Sequence, residues 1–152
     1  MSNTQGFCSQ AKVDLMNGKH AFGASVARAD TTKDTYKAAL YLASATRNAS
    51  DTVYSSTGEV SGSGYSAGGV AVTTGTAPTL SGTTAIFTPS ASITYTAVTL
   101  ATAFDAVLIY NDTSATKLAL SVHTFGSQTV TAGNFTLTMP VNDASNALIR
   151  IA

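Results

Sequence analysis

Most of the chain alternates apolar and polar residues with a period of two. In residues 36–43 (YKAALYLA), Tyr36, Ala38, Leu40 and Leu42 share one face, as in a pleated strand. The same period predicts seven further strands, at residues 69–74, 83–88, 92–100, 103–110, 117–125, 134–140 and 147–151. Turn residues separate them, for example at 111–114 and at Gly126-Ser127. Eight short strands without interleaved helices predict an all-β fold, an antiparallel β-sandwich of jelly-roll type.

Three of these strands carry more detailed expectations. In residues 134–140 (NFTLTMP) the apolar and Thr positions alternate strictly, which is typical of a sheet with one face in water. Residues 104–110 (FDAVLIY) are apolar on both faces apart from Asp105, so this strand is expected at the centre of a sheet or under a partner. In residues 93–100 the apolar parity changes, and a β-bulge near Ala97 would reconcile the two halves.

Only the N-terminal region has a helical period. Phe7, Ala11 and Leu15 recur at i, i+4 and i+8, which predicts a helix over residues 7–17 that Asn17-Gly18 would end. At 152 residues the chain is too short for two ordinary domains. We therefore expect one compact domain, in which residues 1–35 form an arm with a short helix and residues 36–152 form the sandwich.

Charge is sparse and balanced. Eight basic residues face eight acidic ones, and charged residues are 11% of the chain, against a typical quarter. Neither nucleic acid nor an anionic membrane would attract such a chain, and no apolar run approaches the length of a membrane span. Ser and Thr supply roughly a quarter of the residues. Because a hydroxyl-rich surface loses little on desolvation, this composition favours a protein that works inside an assembly.

Residues with catalytic or ligand chemistry are few. A single cysteine, Cys8, excludes an internal disulfide and a thiolate metal site. His20 follows the helix stop and could cap its carbonyls, and His123 is expected on an open strand face, although a triad with Ser121 or Ser127 is left open. Asp105 is expected to be satisfied by a turn residue, a Lys or Arg150. No enzyme activity, metal or cofactor is therefore expected.

Residues 54–72 hold five glycines and Glu59, the only Glu of the chain. A phosphate-binding loop would lead into a helix, but here a strand pattern follows, and the flanks do not suggest a linker. We expect a structured excursion in which Tyr65 anchors the turn on the sandwich. Glu59 would pair locally or with a neighbouring subunit.

The strings YKAALYLASAT, TGEVSGSGYSAGG, SGTTAIF, AVLIYND and DASNALIRIA resemble a family of small tailed-bacteriophage virion proteins, over nearly the whole chain. The longest specific string is residues 57–69. The family's Trp between residues 92 and 106 is replaced here by Phe104-Asp105-Ala106, so no contact residues are carried over.

The resemblance implies a head decoration, or cement, protein with a jelly-roll fold. Its expected partners are the major capsid protein and a second or third copy of itself, as a dimer or trimer. Its expected place is the exterior of the virion head, after assembly in the host cytoplasm. We expect the N-terminal arm to dock on capsid or on a sister subunit through Phe7, Leu15, Met16 and Phe22.

Two alternatives remain open. A carbohydrate-binding, fibre or tail-associated virion module would use a Tyr-rich face, since Tyr stacks on sugar rings. With no basic groove beside them, the six tyrosines are more typical of core rims and interface anchors than of a stacking platform. A hydrolase is the third possibility.

Overall fold

The computed structural model describes residues 2–16, 18–20, 22, 33–75 and 77–152. These ranges contain one helix and eight strands. In chain order they are β1 (Gly6–Phe7), α1 (Ser9–Met16), β2 (Tyr36–Leu42), β3 (Val70–Val72), β4 (Thr79–Ser81), β5 (Thr84–Phe87), β6 (Ile93–Asn111), β7 (Ala119–Leu137) and β8 (Ile149–Ile151).

The strands form two antiparallel sheets that pack against each other. One has five strands in the order β1-β7-β6-β2-β3, and the other has three in the order β4-β5-β8. The predicted all-β sandwich with one short helix is therefore confirmed. The larger sheet has five strands and the smaller has three. The consecutive strands β6 and β7, and likewise β4 and β5, are neighbours within their sheets.

A long hairpin, β6–β7, supplies the two longest strands of the larger sheet. Each strand has 19 residues, so four predicted strands are in fact two. The predicted turn at Gly126-Ser127 is wrong, because both residues continue β7. The bulge expected near Ala97 is confirmed: the register shifts between Tyr95 and Val98, and Ala97 has a φ of 52°.

Two very short strands were not predicted, and the helix is shorter than expected. Phe7 pairs with Ser121 in β1 rather than starting the helix, and β4 contributes only three residues. The helix ends at Met16, and Gly18, part of the predicted stop, has a φ of 67°. The backbone N–H groups of Gly18 and Lys19 donate to the carbonyls of Leu15 and Asp14, so His20 is not the cap that the sequence suggested.

The core lies on both faces of the larger sheet. Leu108 and Tyr110 of β6 are buried against the segment before β3, where Tyr54 stacks on Tyr110 with ring centroids 4.7 Å apart. Val107 and Ile109, on the opposite face, are buried towards the smaller sheet. The central position expected for residues 104–110 is confirmed, since β6 pairs with β7 and β2 on its two sides.

Candidate functional site

The glycine-rich stretch before β3 is folded tightly onto the edge of β2. The pairing of β2 with β3 stops at Ala38, and the loop takes over from there. The N–H of Leu42 donates to Gly58 O and the N–H of Val60 donates to Leu40 O, at 2.9 and 3.0 Å. On its other side the stretch meets β6, where the N–H of Thr99 donates to Ser63 O at 2.8 Å. Residues 57–69, the Glu59 loop, therefore extend the sheet.

Glu59 organises this loop. Its carboxylate accepts hydrogen bonds from Tyr54 Oη (2.6 Å), Tyr65 Oη (2.7 Å) and the N–H of Gly68 (2.7 Å). No ion pair reaches Glu59 from the described residues. Two phenols and an amide thus hold the carboxylate where a Lys or Arg would be expected. The local pairing predicted for Glu59 is found, and its contact with a neighbouring subunit stays a prediction.

Tyr65 fastens the loop to the sheet, as predicted. Its hydroxyl accepts the N–H of Leu40 at 3.0 Å while donating to Glu59. Next to it, Tyr110 donates to Gly68 O at 2.9 Å and Tyr95 donates to Ala38 O at 2.7 Å. Burial, with the nearby carboxylate, raises the pKa of Tyr65 and of Tyr95 well above its ordinary value. These phenols stay protonated and serve as hydrogen-bond donors.

At two positions of this string the backbone leaves no room for a side chain. A Cβ at Gly69 would lie 1.7 Å from Ala38 O, and at Gly64 it would lie 2.3 Å from Ala97 O. Both residues also have positive φ, 75° and 78°, which L side chains rarely adopt. Only glycine therefore lets the loop approach β2 and β6 this closely.

The residues predicted to dock on a partner are divided between two places. Glu59 and Tyr65 are in contact within the loop, whereas Phe7 and Leu15 are half-buried where β1 and α1 pack on the core. The side chain of Met16 lies outside the described residues. Phe22 is 8% exposed and lies 4.9 Å from Phe87 and 5.3 Å from Tyr36, centroid to centroid. Phe22 therefore offers a partner little surface.

A buried polar network joins the N-terminal arm to the larger sheet. Asn111 Nδ2 donates to Asp34 Oδ2 (2.9 Å) and to Lys19 O (3.1 Å), and lies 3.4 Å from His20 Nδ1. Burial lowers the pKa of His20 although Asp14 and Asp34 oppose the shift. Lys19 pairs with the fully buried Asp14 at 3.1 Å. Lys19, His20 and Asp34 are thus tied to the larger sheet within the described part of the arm.

The residues considered for catalysis are buried or bonded to neighbouring side chains. Asp105 accepts a hydrogen bond from Asn3 Nδ2, not from the Lys or Arg150 that the sequence suggested. His123 Nε2 lies 2.9 Å from Ser121 Oγ, but Ser121 is 1% exposed, so its hydroxyl cannot meet a substrate. His123 is partly buried rather than on an open face, and burial lowers its pKa to about 4. Among the described residues no cluster of His, Cys, Asp and Glu could hold a metal.

The sequence did not identify an apolar row on the smaller sheet. Leu80 of β4 pairs with Ala85 of β5, which pairs with Ile151 of β8, and directly opposite residues point to the same face. Leu80 is 74% exposed and Ile151 is 48% exposed. Leu80, Ala85 and Ile151, the apolar row, thus cross the whole sheet. Only a strand assignment for residues 79–81 could have revealed it.

No helix within the described ranges is both long and apolar enough to cross a membrane. Comparison of the chain with protein-family models, with curated proteins and with solved structures finds no match.

Proposed function

We propose that this protein is a structural virion protein that decorates the outer surface of a tailed-phage head and stabilises contacts between major capsid protein subunits. A copy bridging several subunits gains from effective concentration, so each contact need only be of moderate strength. An exterior with few charges loses little on desolvation when capsid covers it.

The observation that carries the proposal is the construction of the Glu59 loop. This loop is the string most specific to the virion-protein family in the resemblance above. Glu59, Tyr65, Gly64 and Gly69 each have a defined role in closing it onto the sheet. A sequence motif whose residues each have a structural role is better evidence of a family relationship than a motif that recurs through composition alone. The structure of the Glu59 loop therefore supports the resemblance and the function that it implies.

The apolar row is the capsid-facing surface that we favour. Leu80 and Ile151 are the exposed large apolar residues of the smaller sheet, on the same face as the buried Phe87 and Ile149, so the apolar row is the uncovered part of that face. Charged residues are depleted at the centre of protein interfaces, and apolar anchors bury best there. Phe7 and Leu15 remain candidates for a second contact, made by the arm.

The sugar-binding alternative receives less support. A stacking platform requires exposed aromatic faces, but Tyr36, Tyr41, Tyr95 and Tyr110 are buried, and Tyr54 and Tyr65 are half-buried and bonded to Glu59. Binding to a glycan array without binding to purified heads would reverse this preference.

The copy number in purified particles tests the proposal most directly. Quantitative mass spectrometry against the major capsid protein should give hundreds of copies per head, as expected for a molecule that binds at repeated subunit contacts. A handful of copies would contradict the proposal and indicate a tail or fibre component.

A binding assay tests the proposed surface. Heads lacking the protein are mixed with the native chain, with the double variant Leu80→Asp and Ile151→Asp, or with Thr83→Asp, a control at an exposed position in the turn between β4 and β5. We expect the double variant to lose at least about tenfold in affinity and the control to bind normally. Equal binding by all three would exclude the apolar row. A deletion of residues 1–23 is unsuitable, because it removes β1 and the buried Cys8 and Ala11.

A further inference from the structure

The outer edge of β7 is open along most of its length. Within the described ranges, β1 is the only strand on this side, and it pairs with Ser121 and Val122 alone. One side-chain bond continues the ladder, from the N–H of Thr124 to Gln5 Oε1 at 3.5 Å. Residues 124–137 pair with β6 on their inner side. We call their other side the open edge.

The open edge has no charge to protect it. Residues 124–137 read TFGSQTVTAGNFTL, without Asp, Glu, Lys, Arg or Pro. Natural edge strands usually carry charges or prolines because a free row of N–H and C=O groups pairs readily with another strand. Gly126 and the side chains of Ser127, Gln128, Thr129 and Thr131 are exposed, so this segment is accessible to a partner.

The bulges of the hairpin do not block this edge. Where the register shifts, the hairpin's own side chains satisfy the backbone: Thr99 Oγ1 accepts the N–H of Ala132 at 3.0 Å, and Asn134 Oδ1 accepts the N–H of Ala97 at 2.9 Å. Residues 128–131 belong to β7 and have no positive φ, although the register with β6 shifts between Gln128 and Val130 and again between Val130 and Gly133. This short stretch is the natural place for pairing to begin.

We infer that the open edge is a dimer interface at which β7 pairs antiparallel with β7 of a second copy, joining two five-stranded sheets into one. A two-fold axis near Val130 sets Thr129 of one copy opposite Thr131 of the other. Such a contact is isologous, so each segment must complement itself. A segment without charge meets this condition, since no like charges oppose each other.

A second copy fits this edge better than a different protein. Threonine pairs are favourable across strands, and this hairpin already contains one, with Thr94 Oγ1 and Thr136 Oγ1 3.1 Å apart. A different partner would be selected by matching charges, and this segment offers none. The inference concerns the chain alone and does not depend on a capsid partner.

Sedimentation equilibrium of the purified full-length chain, from low to high micromolar concentration and without heads, tests the inference. The native chain should reach twice the monomer mass. The double variant Thr129→Lys and Thr131→Lys brings four like charges together at the axis, and should weaken the dimer by about 100-fold or more. Thr79→Lys with Thr83→Lys is the matched control, with the same added charge at two exposed sites, one in β4 and one in the turn that follows it.

Hydrogen exchange supplies an independent measurement. Amides between residues 124 and 137 should gain protection as the native chain is concentrated, while those of the edge variant should not. A native chain that stays monomeric, a trimer, or a dimer unaffected by the two lysines would each overturn the inference. Circular dichroism and the thermal midpoint verify that both variants are folded.

Discussion

The two edges of the five-stranded sheet differ in how far the rest of the chain pairs with them. On the β2 side, β3 pairs with residues 36–38 and the Glu59 loop bonds to residues 40–42, so no stretch of β2 is left uncovered. On the β7 side, pairing with β1 ends after two residues. The β2 edge is therefore hydrogen-bonded by the chain's own backbone along its length, whereas most of the β7 edge is not.

Composition does not explain this difference. Both segments are rich in Gly, Ser and Thr. The Glu59 loop differs by one carboxylate and its phenol partners, which draw the loop onto the sheet. The open edge has no such centre, and its hydroxyls face solvent. A single half-buried acceptor therefore distinguishes the segment that completes the sheet from the one that leaves its edge unpaired.

Equal glycine substitutions on the two sides should have the most unequal effects. Gly69→Ala forces a Cβ to within 1.7 Å of Ala38 O, so we expect a loss of more than about 4 kcal/mol in the free energy of unfolding, or failure to fold. Gly126→Ala on the open edge meets nothing within 4 Å and should change stability by less than about 0.5 kcal/mol. Urea denaturation measures both.

Gly82→Ala separates steric clash from backbone strain. Gly82 has a φ of 63° but no atom within 4 Å of a built Cβ, so this variant should lose only about 1–2 kcal/mol. If Gly69→Ala lost no more than Gly82→Ala, the close approach of the loop to β2 would not be required for stability.

Removing the carboxylate should be the next largest effect. Glu59→Ala leaves two phenol hydroxyls and the N–H of Gly68 without their acceptor, and we expect a loss of about 2–4 kcal/mol. Asp143→Ala is the control, because Asp143 also accepts several hydrogen bonds but lies in an exposed turn, where water replaces them. Equal losses for the two variants would contradict the central role of Glu59.

High pH should open the closed side of the sheet. Burial raises the pKa of Tyr110 to about 12, and it also raises the pKa values of Tyr54 and Tyr65. Because these pKa values are higher in the folded than in the unfolded chain, the stabilisation is complete below about pH 10 and is lost as the pH rises through the folded values. The urea midpoint should fall above pH 10, with phenolate absorbance appearing together with unfolding. Phenolate absorbance that rose while the protein stayed folded would contradict this.

Patterns carried by local sequence were predictable. The strand at residues 36–43 and the bulge at Ala97 follow from the parity of apolar residues, and Tyr65 as an anchor follows from an aromatic residue among glycines. These features depend on the residues nearby, which the sequence displays directly. The sandwich itself followed from the number of such segments.

Features set by distant partners were not predictable. β1 and β4 are too short to show a period, and they exist because Ser121 and Ala85 lie opposite them. Gly126-Ser127 has turn composition, but the pairs on either side of it, Thr124 with Ala106 and Gln128 with Phe104, keep it within β7 as an irregularity of the register. The apolar row joins residues from three separate strands. Tertiary structure decided each of these positions.

Two hydroxyl deletions should show the smallest difference between the sides. Tyr54→Phe removes a 2.6 Å hydrogen bond to Glu59 Oε2 but keeps the ring that stacks on Tyr110, and should lose about 1–2 kcal/mol because the carboxylate is left short of a donor. Thr136→Val removes the exposed bond to Thr94 and should lose less than about 0.5 kcal/mol, since water replaces that bond and Val favours a strand. Urea denaturation, with the doubly substituted Thr94→Val and Thr136→Val chain completing the cycle, measures the coupling across the pair. A loss at Thr136 that matched the loss at Tyr54 would mean that the β7 side is stabilised internally by its hydroxyls as strongly as the β2 side, and the contrast between the two sides would then fail.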